Sequence, residues 1–379
     1  MGLANTTSRD VVTENALAVK IARRIRSEGP LTLAAYMAIA LHDPDLGYYA
    51  TRRPIGAAGD FVTAPEISQV FGELIGLWCA LVWEQIGRPD PVILAELGPG
   101  SGILASDLLR AASALPEFRC SLRLYLVETS PVLRAEQQRR LAFADPVWLA
   151  RVEELPAGPV LIVANEFLDA LPIRQLVRGH RYWSERMVTL DRERGFVFVN
   201  GPENPMLSVF VPETLSNTAQ PGEVFEFCPA ALALGAAIGA RLKHDRGAAL
   251  FIDYGYVAGR SRMSLSALAH HQPVDVLASP GNADLSAHVD FAAFAHAARG
   301  TGANTRGPVP QGRFLAGLGA AGRLAALSER ATPNQRRRLE SGVERLLDPA
   351  QMGDLFKALA LVSPGLPTPF GFDFAETQR

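Results

Sequence analysis

Residues 96 to 102 read "ELGPGSG" and follow an apolar run, "PVILA". A glycine turn between a strand and a helix lets the backbone come close to a ligand, because residues without Cβ atoms remove the obstruction. The first amides of the following helix then face the bound molecule. Gly98, Gly100 and Gly102 therefore mark a cradle for a small polar ligand, with Glu96 just behind it. A second acid, Glu128, ends the next apolar stretch, "LRLYLVE". A third group of polar residues, Asn165, Glu166 and Asp169 in "NEFLDALP", brings an amide and two carboxylates to another strand end, and Asp253 in "FIDYGY" ends a further strand on the same edge. Paired carboxylates at one place can grip a cation and take up a proton.

Two cofactor classes use such a turn. The dinucleotide version is G-x-G-x-x-G, and here its third glycine position is Ile103. This weakens a nicotinamide-dependent oxidoreductase. The order E-x-G-x-G-x-G instead resembles the first motif of class I S-adenosylmethionine (SAM) methyltransferases, in which the acid acts on the amino-acid end of the cofactor. An acid at the end of the next strand then accepts hydrogen bonds from the ribose hydroxyls, which is where Glu128 falls. Each feature also has a plainer reading: a tight turn, a surface acid at a strand end, Asp169 as an N-cap, and Pro172 as a helix breaker. Their coincidence at consecutive strand ends favours ligand binding, since open α/β sheets take ligands there. Neither a P-loop nor a G-x-S-x-G elbow occurs.

The elements that must hold these residues follow from periodicity. "NALAVKIARRIRSEG", "TLAAYMAIALHD" and "SQVFGELIGLWCALVWEQIG" have helical spacing, the first and third with glycine stops. From residue 91, apolar runs alternate with helical patterns, which indicates a parallel sheet covered on both faces. The stretch 174–201 alternates polar and apolar residues between turn signals and reads as an antiparallel insertion. The implied organisation is a helical extension over 1–90, a core over 91–175 and 221–256, an antiparallel insertion over 176–220, and an irregular loop followed by a mostly helical region over 257–379.

The composition excludes several classes. The 379 residues are 48% apolar and 20% charged, with a formal net charge of −2. That balance belongs to an ordinary globular protein and argues against a nucleic-acid partner. Three separated cysteines without a C-x-x-C pair point to a reducing compartment. No apolar run reaches the length of a membrane span, and the first residues have no signal-peptide pattern. The expectation is a soluble protein of the bacterial cytoplasm, or of the mitochondrial matrix in a eukaryote. "MGLANT" satisfies the loose myristoylation pattern, which is short enough to arise by chance. His270, His271, Asp275, Asp284, His288 and Asp290 fit no compact ligand spacing, so no metal is expected.

Six blocks then match one known family. "GDFVTAPEISQVFGELIGLW", "ELGPGSG", "VETSPVLRAEQ", "NEFLDALPIRQ", "IDYGY" and "ADLSAHVDF" resemble, in order, the blocks of the MidA family. This family includes the mitochondrial protein arginine methyltransferase that helps assemble respiratory complex I. The resemblance covers about residues 28 to 370. It implies a class I, Rossmann-like α/β SAM-methyltransferase sheet with a helical N-terminal extension and an inserted α/β substrate region. It also implies SAM as cofactor and arginine methylation of a protein, in the mitochondrial relative a complex I subunit. Glu96, Gly98, Gly100 and Gly102 would take the amino-acid end of the cofactor and Glu128 its ribose, and the loop with Gly59, Asp60, Phe61, Thr63, Pro65 and Glu66 would close over the site.

The chain departs from the family at "MSLSALAHHQPVD", which lacks the usual glycine and arginine, and at Ser286, where relatives carry threonine. The first change bears on the substrate side. For an arginine substrate, Glu166 and Asp169 are the first catalytic candidates, with Asn165 beside them and Asp253 second. The rival is a non-catalytic SAM-binding assembly scaffold that keeps the fold alone. The alanine-rich C-terminal helices offer a homodimer face and would equally serve to complete the core.

Overall fold

The computed structural model describes residues 15–51, 62–257 and 263–373. They form two compact units, each drawn from three segments of the chain.

The larger unit holds residues 55–169, 232–257 and 289–379. Its sheet contains β1 (Val92–Leu97), β2 (Leu122–Val127), β3 (Val147–Leu149), β4 (Val160–Asn165), β5 (Gly247–Tyr256), β6 (Asn304–Pro310) and β7 (Phe356–Val362). Their spatial order is 3-2-1-4-5-7-6, and the pair Val289–Asp290 adds a short strand beside the end of β5. Strands β1 to β5 pair in parallel, whereas β7 runs antiparallel to both β5 and β6. Central strands buried on both faces need apolar side chains throughout, which is why "VILAEL", "VLIVAN" and "AALFI" carry no alternation. Leu94, Leu161 and Leu250 face one core with Phe71, Ile75 and Trp78 of helix α1 (Gln69–Gln85) and Leu108 of α2 (Ile103–Ala112). Phe251 meets Phe294 of a C-terminal helix edge to face at 4.7 Å between ring centroids.

Two expectations change here. The region over 257–379 reads as an irregular loop followed by a mostly helical stretch; beside the helices Phe291–Thr301, Gln311–Gly317, Ala320–Ser328 and Pro333–Leu347 it also contains two strands, since "NTRGPVP" and "FKALALV" are β6 and β7. Alanine and leucine favour helix in isolation, but a short apolar run cannot be told from a buried strand by periodicity. Burial between β5 and β6 decides the matter: Ala358 to Val362 are almost wholly inaccessible. Likewise α1, placed with the N-terminal extension, belongs to the core of the larger unit, because its apolar face covers the sheet.

The smaller unit holds residues 1–54, 170–231 and 258–288. Its helix Ala16–Glu28 begins at Asn15, whose side chain accepts from the amides of Leu17 and Ala18, and ends at Gly29 with φ of 89°. Strands Arg174–Arg178, Trp183–Asp191, Gly195–Asn200 and Val224–Phe227 pair antiparallel around a small core of Leu176, Trp183 and Phe225. Strand Ser266–Ala269 pairs with Gln272–Val274 and Asp284–Ser286. His270 and His271 make the turn of the first pair, with φ of 51° and 60°.

Candidate functional site

The strand order reverses between β1 and β4, and ligands of doubly wound sheets bind outside the carboxyl ends at such a point. Residues 98–102 leave β1 and residues 166–169 leave β4 there. Gly98, Gly100 and Gly102 have φ of 62°, 54° and 77°, a region that side chains other than glycine rarely enter. Gly98 also abuts the Phe167 ring: a Cβ on it would lie 2.6 Å from Cδ2. Gly102 is the residue before α2, so the turn delivers the first amides of that helix to the strand edge.

Glu96 lies buried in β1 beneath the turn, and its Oε2 has no hydrogen-bond partner among the described residues. Burial, with the Glu128 charge nearby, pushes its carboxyl up to about 8. Glu128 follows β2. Its Oε1 accepts from the Ser130 amide at 2.8 Å and its Oε2 from Gln137 at 3.3 Å. Burial raises its pKa, while these bonds act against the rise. A carboxylate has about four acceptor positions, so sugar hydroxyls can still be received there.

At the end of β4, Glu166 adopts φ of 50°, unusual for a residue with a side chain. Its Oε1 accepts from the Ala64 amide at 2.9 Å and from Asn165 Nδ2 at 3.0 Å. Burial, and to a smaller extent Asp169, pushes Glu166 up to about 7. Asn165 Oδ1 is buried without a partner. Asp169 is also buried and lies close enough to shift Glu166.

Asp253, grouped from sequence with the catalytic candidates, faces the backbone. Its Oδ2 accepts from the amides of Phe167 at 3.1 Å, Leu168 at 2.9 Å and Asp169 at 3.3 Å, and Oδ1 from Tyr254 at 2.8 Å. It fills a nest of successive amides and so fixes the turn that carries Glu166 and Asp169. Burial, then Asp169 and Glu166, raise its pKa; the Tyr254 and Asp169 amides oppose that.

Thr63 is buried just before the single turn Ala64–Ile67, and Glu66 from that turn accepts from Ser101 Oγ at 2.7 Å. Thus residues 63–66 touch both the glycine turn and the end of β4. Asp60 and Phe61, with Gly59, lie outside the described residues. The acids of the metal hypothesis have other partners: Asp284 accepts from the Tyr49 hydroxyl at 2.8 Å, and Asp290 caps a helix through Ala293. Among the described residues no group of three or more metal-ligating side chains occurs.

Sequence reasoning missed the frame around the glycine turn. On α3 (Pro131–Leu141), Gln137 Nε2 donates to Gly100 O at 2.8 Å, and Arg140 Nε donates to Ser101 O at 2.8 Å. Trp148 of β3 holds Gln137 through Oε1 at 2.8 Å. A faint signal existed, since Gln137 lies four residues from both Leu133 and Leu141, on the apolar stripe of the helix.

A doubly wound sheet with a glycine turn at its switch point and an acid ending each of two neighbouring strands defines a nucleoside-binding α/β enzyme. The family profile of S-adenosyl-L-methionine-dependent methyltransferases matches residues 74–309, and the chain belongs to that family. It is 35% identical over 383 residues to the mitochondrial protein arginine methyltransferase NDUFAF7 homolog of Drosophila melanogaster, covering 93% of this chain and 85% of the relative. The human protein arginine methyltransferase NDUFAF7, mitochondrial, is 33% identical over 374 residues, covering 89% and 81%. A methyl transferase-type crystal structure from Burkholderia thailandensis, bound to S-adenosyl-homocysteine, has a TM-score of 0.81 at 29% identity over 98% of this chain and 97% of that one. The chain is therefore a SAM-dependent methyltransferase of the MidA kind. Its buried Glu96 Oε2, without a partner among the described residues, fits a cofactor with hydrogen-bond donors to offer.

Proposed function

We propose that this methyltransferase acts on the guanidinium of an arginine in a protein. The observation that supports it best is the pair Glu166 and Asp169 at the end of β4, supported from behind by Asp253. A protonated guanidinium has a pKa above about 12 and delocalised lone pairs. Two carboxylates gripping its other nitrogens draw the positive charge to themselves and leave one nitrogen able to attack.

SAM supplies an electrophilic methyl on a sulfonium. Glu96 and the amides after Gly98, Gly100 and Gly102 hold its amino-acid end, and Glu128 its ribose. Thr63 and the turn that follows cover the site. Asn165 orients Glu166 and offers Oδ1 to an N–H of the substrate. Transfer would break the C–S bond of the sulfonium, leaving S-adenosylhomocysteine, as the N–C bond forms, and Glu166, with a pKa near 7, would take the N–H proton released by the attacking nitrogen. Asp253 positions this turn without touching substrate.

A complex I subunit is the proposed substrate through the family resemblance. A reducing compartment, the bacterial cytoplasm, accords with three unpaired cysteines. No helix among the described residues is long and apolar enough to cross a membrane, so no membrane insertion is proposed. A homodimer through the C-terminal helices completes the proposal.

The test is calorimetric titration with S-adenosylhomocysteine, followed by incubation with labelled SAM and candidate subunits and mass spectrometry of the product. Saturable binding with a methylated arginine supports the reading. Binding with methylation at another residue type refutes the arginine substrate, and binding with no transfer to any subunit would leave the scaffold reading.

A further inference from the structure

Gln137 has no exposed surface and spends every polar group it owns. Its two N–H donors serve Gly100 O at 2.8 Å and Glu128 Oε2 at 3.3 Å, and its Oε1 accepts from Trp148 Nε1 at 2.8 Å. The Trp148 N–H can only donate, so it fixes which way round the amide lies. No other side chain of this size offers two donors at one fork and an acceptor on the other.

The consequence reaches both halves of the cofactor site. In a trans peptide the C=O and N–H point in opposite directions. Pinning Gly100 O toward α3 therefore turns the Ser101 N–H away from it, and Arg140 pins the next carbonyl, Ser101 O, at 2.8 Å. The Gly102 amide in turn closes on Pro99 O at 2.8 Å. One helix face thus sets the peptide planes of the glycine turn, and the same Gln137 restrains the carboxylate of Glu128.

We propose that Gln137 is a positioning residue that sets cofactor affinity by tying the ribose acid Glu128 to the glycine turn, with Trp148 holding it in register. The proposal rests on Glu128 being the ribose ligand. Removing the Gln137 amide leaves a carbonyl and a carboxylate oxygen without their donor and frees Glu128 to rotate.

The experiment is a double-mutant cycle read by titration with S-adenosylhomocysteine, using Gln137→Leu, Glu128→Gln and the combination. Gln137→Leu should raise Kd about 10- to 100-fold, the range expected when buried partners are orphaned, and leave kcat at saturating SAM within about twofold. On the Glu128→Gln background the same change should cost clearly less, because the tie has lost its charged partner and only the hold on Gly100 O remains to be lost. Trp148→Phe keeps the amide and removes only its anchor; it should weaken binding by a smaller factor, and it serves should Gln137→Leu not fold. If Glu128→Gln itself leaves Kd unchanged, the ribose assignment fails and the proposal with it. If Glu128→Gln weakens binding while Gln137→Leu and Trp148→Phe do not, only the tie is refuted. An equal penalty in both backgrounds, with melting temperature and kcat falling together, would show a packing role instead.

Discussion

The carboxylate of Glu166 and the backbone amide of Ala64, 102 residues apart in the chain, lie 2.9 Å from each other. The proposed proton acceptor is thereby bonded to the segment that begins the first helical turn beside the site. Among the described residues the side-chain hydrogen bonds of Glu166, from Ala64 and from Asn165, fall on Oε1. Such a carboxylate can be held in place and still have an oxygen to use.

Glu166→Gln should therefore keep affinity for S-adenosylhomocysteine within about threefold and reduce methyl transfer by about 100-fold or more, the span of general-base effects. In the wild type, with Glu166 pushed up to about 7, the base is ionised only above that value. Turnover should rise between pH 6 and 8, and the variant should lose that limb. Equal loss of binding and transfer would assign Glu166 a structural role.

Glu96→Gln separates stability from function. The folded Glu96 carboxyl is raised to about 8, so the folded state holds a proton that the unfolded chain has released. Its contribution to stability is present at low pH and is lost as pH rises from about 4.5 through 8. The variant should melt roughly 2–6 °C above wild type at pH 9 in the absence of cofactor, with a shallower decline across that window. Above about pH 8, where the wild-type carboxyl is ionised, it should also bind S-adenosylhomocysteine more weakly, since the charged Oε2 is gone. Thermal scans at several pH values, paired with titration, check both.

Asp253→Asn should lower stability by about 1–3 kcal/mol, because one amide oxygen cannot serve both the Phe167, Leu168 and Asp169 amides now on Oδ2 and the Tyr254 amide now on Oδ1. Transfer should fall with it, as the turn bearing Glu166 and Asp169 loosens. A denaturant midpoint identical to wild type would count against the positioning role.

Gly98→Ala places a Cβ 2.6 Å from the Phe167 ring on a backbone with φ of 62°. The expected loss is about 1–3 kcal/mol, a sum of strain and clash. In a Phe167→Ala background, the clash should disappear and about 1 kcal/mol of backbone strain remain. Chemical denaturation of the four proteins measures the difference.

Much of the site was legible because its signals are local. A glycine turn must stand in sequence between its strand and its helix, and an acid at a strand end is a neighbour of the apolar run before it. Glu96, Gly98, Gly100, Gly102 and Glu128 are all of this kind. Asn165, Glu166 and Asp169 were visible for the same reason, as one short polar cluster after "VLIVA".

Tertiary structure decided what those groups face. Asp253 shares with Glu166 a strand-end position and an acid's chemistry, yet β5 lies beside β4 in a register that aims its carboxylate at three consecutive amides. Nothing in the sequence around Asp253 encodes those amides, which come from residues 84 to 86 positions away. "FKALALV" reads as helix by local preference and becomes a central antiparallel strand because burial on both faces outweighs propensity. Gln137 is an ordinary helical residue until β1, β2 and β3 bring Gly100, Glu128 and Trp148 around it. The sequence by itself determined which chemical groups stand at the strand ends, since strand and turn preferences act over a few residues. Which of them meet a ligand and which meet the backbone was decided by strand order and register, because hydrogen bonds act over about 3 Å in space, whatever the separation along the chain.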